Sequence, residues 1–188
     1  MGKIILIKPT KEYEEQAKEF IQEFIDHNSE MHGVGDLNLN LDSYDEWLKR
    51  LDDYSRGINL KEGHVPATTF FAINQETNEI IGMIDIRHNL NDYLLERGGH
   101  IGYSVRPSER KQGYATEILY LGLGECVKIG LEKVLITCYR DNIASAKTIQ
   151  NNFGVLENEI LGDGNVVQRY WIDVTHTLKK KEIKNLMK

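Results

Sequence analysis

The chain has 188 residues and a formal net charge of −6, a length typical of one domain with a buried core. The charge is uneven, because residues 1–100 carry 19 Asp and Glu against 10 Lys and Arg (−9), whereas residues 101–188 carry 10 against 13 (+3). An acidic first half argues against nucleic acid as the main partner and suits a cationic partner such as an amine, although a solvated acidic surface explains it equally well.

The first half of the chain predicts a strand, two helices and two further strands. Apolar residues recur at helical spacing in the first helix, at Tyr13, Ala17, Phe20, Ile21 and Phe24. Trp47 and Tyr54 belong to the second helix and are expected in the core. The predicted elements are a strand over residues 3–8, a helix capped by Thr10, a helix from Ser43, and strands over 68–74 and 79–88.

The second half alternates strands and helices and closes with a hairpin. The predicted elements are a strand over 100–105, a helix over 113–129, a strand over 133–139, a short helix from Asn142, and strands over 155–162 and 165–173 around Asp163-Gly164. Period-two alternation places His100, Gly102 and Ser104 on one face of their strand. We expect a domain over residues 1–174 and a solvated basic tail over 175–188.

The sequence argues against a membrane-spanning protein and against a metal-binding protein. No apolar run approaches the ~18 residues that a spanning helix needs, and the first residues predict a strand rather than a signal peptide. The six His residues lack paired metal spacing. Cys126 and Cys138 fall in apolar segments, which predicts buried thiols in a reducing cytoplasm.

A strand end, a basic turn and a helix start meet between Val105 and Thr116. The first N–H groups of a helix lack partners inside the helix, and its dipole favours negative charge there. A residue without a Cβ at Gly113 lets an anion approach the backbone. The stretch therefore predicts an anion cradle built from Arg110, Lys111, Gln112, Gly113, Tyr114, Ala115 and Thr116.

Arg110-x-x-Gly113-x-Ala115, preceded by Val105-x-Pro107, resembles the acyl-coenzyme A (CoA) pyrophosphate loop of the GNAT superfamily of N-acetyltransferases. That loop reads Arg/Gln-x-x-Gly-x-Gly/Ala. The resemblance implies an α/β single domain with a mixed central sheet of about six to seven strands and about four helices. It also implies that CoA lies between splayed central strands and that residues 26–66 form a wall of the acceptor pocket.

Further site residues follow from the same resemblance. Strand residues Tyr103, Ser104 and Val105 would bind CoA, with the backbone of Tyr103 and Val105 on the pantetheine amides. Asn142-x-x-Ser145 is similar to the family segment in which the Asn side chain bonds the pantetheine arm. A helix cap at Asn142 would explain that residue equally well, and both roles can hold together.

The residues expected to act as general acid and general base depart from the family pattern. Many members carry a Tyr seven residues after the Asn as the general acid for the departing thiolate, and Ile149 stands there. For the base, His100 is our candidate by its place at the start of the strand and by its pKa range, although a structural histidine is an alternative. Asp85, His88 and Glu96 are weaker candidates.

The sequence thus predicts an acetyl-CoA-dependent N-acetyltransferase that needs no metal. Its acceptor would be a small-molecule amine or a protein amino group, attacked directly in a ternary complex. The edge of the last hairpin would allow a homodimer. Alternatives are a non-catalytic acyl-CoA-binding module, which Ile149 supports, and a nucleotide-binding protein, which lacks a Walker sequence here.

Overall fold

The computed structural model describes residues 3–39, 43–162 and 164–186. Within these residues the seven strands form two sheets whose paired strands are all antiparallel. The strands are β1 (Ile4–Ile7), β2 (Ala67–Asn74), β3 (Ile80–Arg87), β4 (Ile101–Val105), β5 (Lys133–Tyr139), β6 (Val155–Gly162) and β7 (Asn165–Asp173). The first sheet has the order β1-β2-β3-β4 and the second the order β5-β7-β6.

Five α-helices lie in the same described ranges. They are α1 (Glu14–Asp26), α2 (Tyr44–Ser55), α3 (Tyr114–Lys128), α4 (Ile143–Asn151) and α5 (Val174–Leu186). Single helical turns occur at Lys11–Tyr13, Leu37–Leu39, Leu94–Gly98 and Pro107–Glu109. The strands and the first four helices agree with the sequence-based boundaries to within a few residues, and the turn residue Asp163 lies outside the described residues.

Two apolar clusters pack on opposite faces of the first sheet. The predicted stripe of α1 joins Trp47 of α2 against Phe71 and Met83 on one face. On the other face α3 packs against Ile84 and neighbouring strand residues. Trp47 is fully buried, so its interpretation as a core residue is confirmed. Successive side chains of a strand point to opposite faces, so β2 and β3 contribute to both clusters and are buried on both sides.

The predicted sheet is divided between β4 and β5, which do not pair. The two strands are joined through α3, so the chain crosses from one sheet to the other around this gap. They meet only near their starts, where the backbone N–H of His100 donates to the carbonyl of Leu135 at 2.7 Å. The gap between β4 and β5 is therefore closed at one end and open at the other. This is the separation of central strands that the sequence predicted.

The expected basic tail is helical, because residues 174–186 form helix α5, and most of its described side chains are exposed. Val174 and Thr177 are fully buried. Asn152 lies under this helix, where its carbonyl oxygen accepts a hydrogen bond from Thr177 Oγ1 and its Oδ1 accepts one from Lys181 Nζ at 2.6 Å. Lys179 and Lys180 therefore lie on the exposed face of a helix that Thr177 and Lys181 attach to the domain.

No helix in the described part of the chain is long and apolar enough to cross a membrane. Both cysteines are free and buried, as predicted.

Candidate functional site

One edge of β4 carries backbone groups that no other strand uses. Arg87 N–H donates to the carbonyl of His100, and Arg106 N–H donates to that of Ile81, so even-numbered β4 residues bond to β3. Antiparallel pairing alternates the bonding direction. The N–H and C=O groups of Tyr103 and Val105 therefore point towards the gap and β5.

The predicted cradle follows at the open end of this gap. Lys111 and Gly113 both have positive φ, at 64° and 87°, and α3 begins directly after them. Thr116 and Glu117 donate to the carbonyl of Gly113, which leaves the N–H groups of Tyr114 and Ala115 without an acceptor among the described residues. A Cβ at Gly113 would meet nothing within 4 Å. The turn thus presents helix N–H groups beside open space, as anion binding requires.

Arg110 braces the turn from within. Its Nε donates to the carbonyl of Val105 at 3.2 Å, and its Nη2 donates to Ser29 Oγ at 2.8 Å. The guanidinium also lies over the ring of Phe24, 5.3 Å from its centroid. Because these contacts use some of the N–H donors of its guanidinium group, Arg110 contributes to the shape of the cradle as well as to its charge.

A second brace comes from α1. Glu23 accepts a hydrogen bond from Ser108 N–H at 2.6 Å and forms an ion pair with Arg106 at 2.9 Å. The Arg106 contact is an ion pair rather than a hydrogen bond, since Nε–H of Arg106 has no well-aligned acceptor. Sequence reasoning missed Glu23, and 85 residues separate it from Ser108, so no local pattern could have revealed the contact.

The remaining cradle residues divide by exposure. Lys111 and Gln112 are exposed, and Gln112 donates to Glu109 at 2.7 Å. Tyr114 is buried in the core below the turn. Ala115 and Thr116 are half-buried, so Lys111 is the cradle cation most available to a ligand.

Tyr103 and Ser145 join β4 to α4. Their hydroxyl groups are 2.9 Å apart, and either can be the donor. Burial raises the pKa of the Tyr103 phenol above its usual value, and the bond with Ser145 acts in the opposite direction. Asn142 caps α4, because its Oδ1 accepts a hydrogen bond from Ser145 N–H at 3.0 Å. Its Nδ2 remains available, so pantetheine binding by Asn142 stays a prediction.

Ile149 belongs to the core on the α3 side and is fully buried. A Cβ on Gly154 would lie 2.3 Å from its Cγ2, which shows how tightly this side chain is enclosed. Ile149 is a packing residue with no proton to give.

His100 lies at the closed end of the gap. Its Nδ1 accepts a hydrogen bond from Leu135 N–H at 3.0 Å, so the neutral ring carries its proton on Nε2. Burial lowers the pKa of His100 to about 4, partly opposed by the backbone bond to Leu135. These contacts favour a structural role, and its role as general base stays a prediction.

The segment between α1 and α2 covers the opposite face of β4. Ser104 Oγ donates to the carbonyl of His32 and accepts from His32 N–H, both at 2.7 Å. A Cβ at Gly33 would lie 2.0 Å from the carbonyl oxygen of Gly102. Ser104 therefore anchors this segment through its side chain, and Gly102 and Ser104 lie on one face of β4, as the alternation predicts. Asp85, the cross-strand neighbour of Gly102, is buried and accepts from Thr69.

The gap and the cradle together fit an extended ligand with a pyrophosphate. The free edge of β4 offers amide-pairing groups, and the turn at Gly113 offers N–H groups with room for an anion. No group of His, Cys, Asp and Glu among the described residues could hold a metal ion. Such a site defines the acyl-CoA-binding class of proteins.

The sequence profile of the acetyltransferase (GNAT) domain matches residues 4–152. The chain therefore belongs to the GNAT acetyltransferase family and uses acetyl-CoA as its acyl donor. No curated protein sequence matches the chain.

Solved acetyltransferase structures share the fold. RimJ from Mycobacterium smegmatis, in complex with CoA-disulfide, has a TM-score of 0.68 and 18% identity over 95% of this chain and 89% of its own. RimL, a ribosomal α-N-protein acetyltransferase in complex with CoA, has a TM-score of 0.64 and 19% identity, over 93% of this chain and 97% of its own. A chimera of the spermidine N-acetyltransferase SpeG from Vibrio cholerae has a TM-score of 0.62 and 14% identity, over 94% of this chain and 99% of its own.

Proposed function

We propose that the chain transfers the acetyl group of acetyl-CoA to a primary amine by direct attack within a ternary complex. The observation that carries the proposal is the free edge of β4 opening onto the Gly113 turn. Acetyl-CoA supplies an activated thioester. Tyr103 and Val105 would pair with its pantetheine amides through their backbone groups, and the first turn of α3 would hold its pyrophosphate.

The acceptor amine must be neutral to attack. An amine with a pKa near ~10.4 is almost fully protonated at neutral pH, so a base or a water-mediated path is needed. The acidic first half of the chain and the acceptor classes of SpeG and RimL support a cationic small-molecule amine or a protein amino group. Between these two, the charge balance favours the small molecule.

The leaving thiolate needs a proton that Ile149 cannot supply. The hydroxyl pair of Tyr103 and Ser145 lies beside the gap and offers the replacement. A thiol of pKa ~8.5 is a tolerable leaving group, so the pair assists the departure and is not indispensable to it.

Two measurements test the proposal. Calorimetric titration with CoA tests the donor site, where Gly113→Glu places a carboxylate at the anion cradle and should reduce affinity at least tenfold. Gly113→Asn is the matched control, because Asn tolerates positive φ without adding charge. Thiol release from acetyl-CoA across a panel of polyamines, amino acids and N-terminal peptides tests transfer.

The outcomes separate the alternatives. CoA binding without transfer to any amine of the panel would favour a non-catalytic acyl-CoA-binding module, for which the buried Ile149 is the supporting observation. Binding of ATP without binding of CoA would contradict the proposal. A cytoplasmic location and a homodimer through the edge of β6 stay predictions, and light scattering tests the second.

A further inference from the structure

A cavity of about 310 Å³ lies at the far end of α3 from the Gly113 turn. Helix α3 has 15 residues, so its two ends are about 20 Å apart at 1.5 Å per residue. The cavity wall includes Glu125, Lys128 and Ile129 from the last turn of α3 and the residue after it. It therefore lies away from the pyrophosphate end of the CoA site.

The topology explains why this space is open. Gly130 adopts a positive φ of 78° and ends α3, so the helix stops before it covers the ends of β2 and β3. Phe70 and Ile86, both buried, form an apolar part of the wall. Next to them lie Thr68, near the start of β2, and His88, which follows β3. A cavity volume near 300 Å³ is at the lower end of the range for small-molecule sites.

Thr68 and His88 give this wall a polar end. Thr68 Oγ1 and His88 Nε2 are 2.9 Å apart and share one hydrogen bond. Burial lowers the pKa of His88. The charge of Asp85 opposes this shift and that of Lys8 adds to it, so the ring is neutral at pH 7. A hydroxyl and a neutral imidazole carry two donors between them, and one donor remains for a ligand whichever direction their bond takes.

Three cations lie on the rim of the cavity. Lys8, Arg56 and Lys128 line it together with Glu125. Arg56 pairs with two aspartates of α2, and Lys128 pairs with Glu125. Lys8 has no acid partner within the described ranges. An apolar wall, a free donor and an unpaired cation complement a small organic anion.

We infer that this cavity is a second ligand site, which binds a small organic anion with a carboxylate or phosphate group on a short apolar body. The apolar body would pack on Phe70 and Ile86, and the anionic group would face Lys8 and the Thr68–His88 pair. The cavity lies at the opposite end of α3 from the Gly113 turn, so its ligand would not compete with the pyrophosphate of CoA.

Nuclear magnetic resonance on ¹⁵N-labelled protein saturated with CoA tests this inference. The probes are phenylacetate, phenyl phosphate and the neutral isostere phenylacetamide. We expect at least one of the two anions to shift the backbone resonances of Thr68, His88 and Lys128 and to leave those of residues 113–116 unchanged. The anion that shifts them more strongly identifies the preferred head group.

Charge variants provide the controls. Lys8→Gln should weaken anion binding about two- to fivefold, the range for one partly exposed ion pair. The affinity of Lys128→Gln for the same anion tests the second cation of the rim. Lys3→Gln, at the other end of β1, should leave the affinity unchanged. Equal binding of phenylacetamide, shifts confined to residues 113–116, or no shift at 10 mM probe would each overturn the inference.

Discussion

Leu135 N–H donates to the imidazole Nδ1 of His100 at 3.0 Å, while His100 N–H donates to the carbonyl of Leu135 at 2.7 Å. This reciprocal pair joins the two sheets where β4 and β5 are closest. Beyond it the strands separate, and the space between them becomes available to a ligand. His100 therefore fixes the closed end of the gap.

Replacement of His100 should reveal this role. His100→Leu leaves Leu135 N–H buried without an acceptor, which should lower the free energy of unfolding by about 1–3 kcal/mol. His100→Asn offers an amide oxygen near the position of Nδ1 and should lose less. Urea denaturation measures both. Equal stability of wild type and His100→Leu would contradict the assignment.

The pH dependence of stability should report the same residue. The pKa of His100 is about 4 in the folded protein and ~6.5 in the unfolded chain. Between pH 6.5 and 4 the unfolded chain binds the proton and the folded protein does not, so stability falls as pH falls. His100→Asn should show a shallower loss than wild type across this window, and parallel curves would argue against burial of a neutral ring.

The general-base prediction for His100 is tested by the same variant. Asn cannot take up a proton near neutral pH, whereas it can preserve the structural bond. Once an acceptor is found, a kcat within about threefold of wild type for His100→Asn would assign His100 to structure alone. A loss of about a hundredfold with unchanged stability would assign it to proton transfer.

Glu23 should influence CoA binding although it lies on α1. Glu23→Gln removes the ion pair with Arg106 and weakens the hydrogen bond from Ser108. We expect the Kd for CoA to rise about threefold to tenfold, equivalent to about 0.7–1.4 kcal/mol. Glu19→Gln, an exposed change on the same helix, is the matched control. A lower Kd in Glu23→Gln would instead mean that the carboxylate repels the pyrophosphate.

Tyr103→Phe and Ser145→Ala test the proton source. If the hydroxyl pair protonates the thiolate, each variant should reduce kcat about tenfold or more and leave the KM for acetyl-CoA nearly unchanged. A rise in KM at constant kcat would place both residues in cofactor binding only. Steady-state kinetics with one active amine distinguishes the two results.

Asn152 should be important for stability. It is fully buried, and its Nδ2 donates to the carbonyls of Thr116 and Thr148. Asn152→Ala removes a buried donor from these carbonyls and one acceptor from the Lys181 ammonium, so we expect a loss of about 2–4 kcal/mol. Asn151→Ala, at the exposed neighbouring position, should have little effect in thermal denaturation.

The fold was predictable where neighbouring residues determine structure. Apolar spacing located α1 and α3, and the Arg110-x-x-Gly113-x-Ala115 motif located the cradle. The sequence-based description missed α5 because its lysines suggested a solvated end and few of its positions, such as Val174 and Thr177, are buried. Its docking depends on Asn152, a partner distant in sequence.

The site was predictable only in part for a related reason. The glycine of the turn carries a local signal, since its backbone conformation excludes most other residues. The bonds of Ser104 to His32 span 72 residues, and the bond of Glu23 to Ser108 spans 85. Such contacts depend on how α1 and the segment after it pack against β4 and the turn that follows it, and a sequence pattern does not encode that packing.

The unpaired edge of β4 should also influence the lifetime of the protein. A strand edge without a partner is a position where chains associate or where proteases find extended backbone. A ligand that fills the gap binds only the folded state, and at a concentration of 100 Kd it adds about 2.7 kcal/mol to stability. The turnover of this acetyltransferase should therefore slow as the supply of CoA rises, so that the amount of enzyme follows the availability of its own donor.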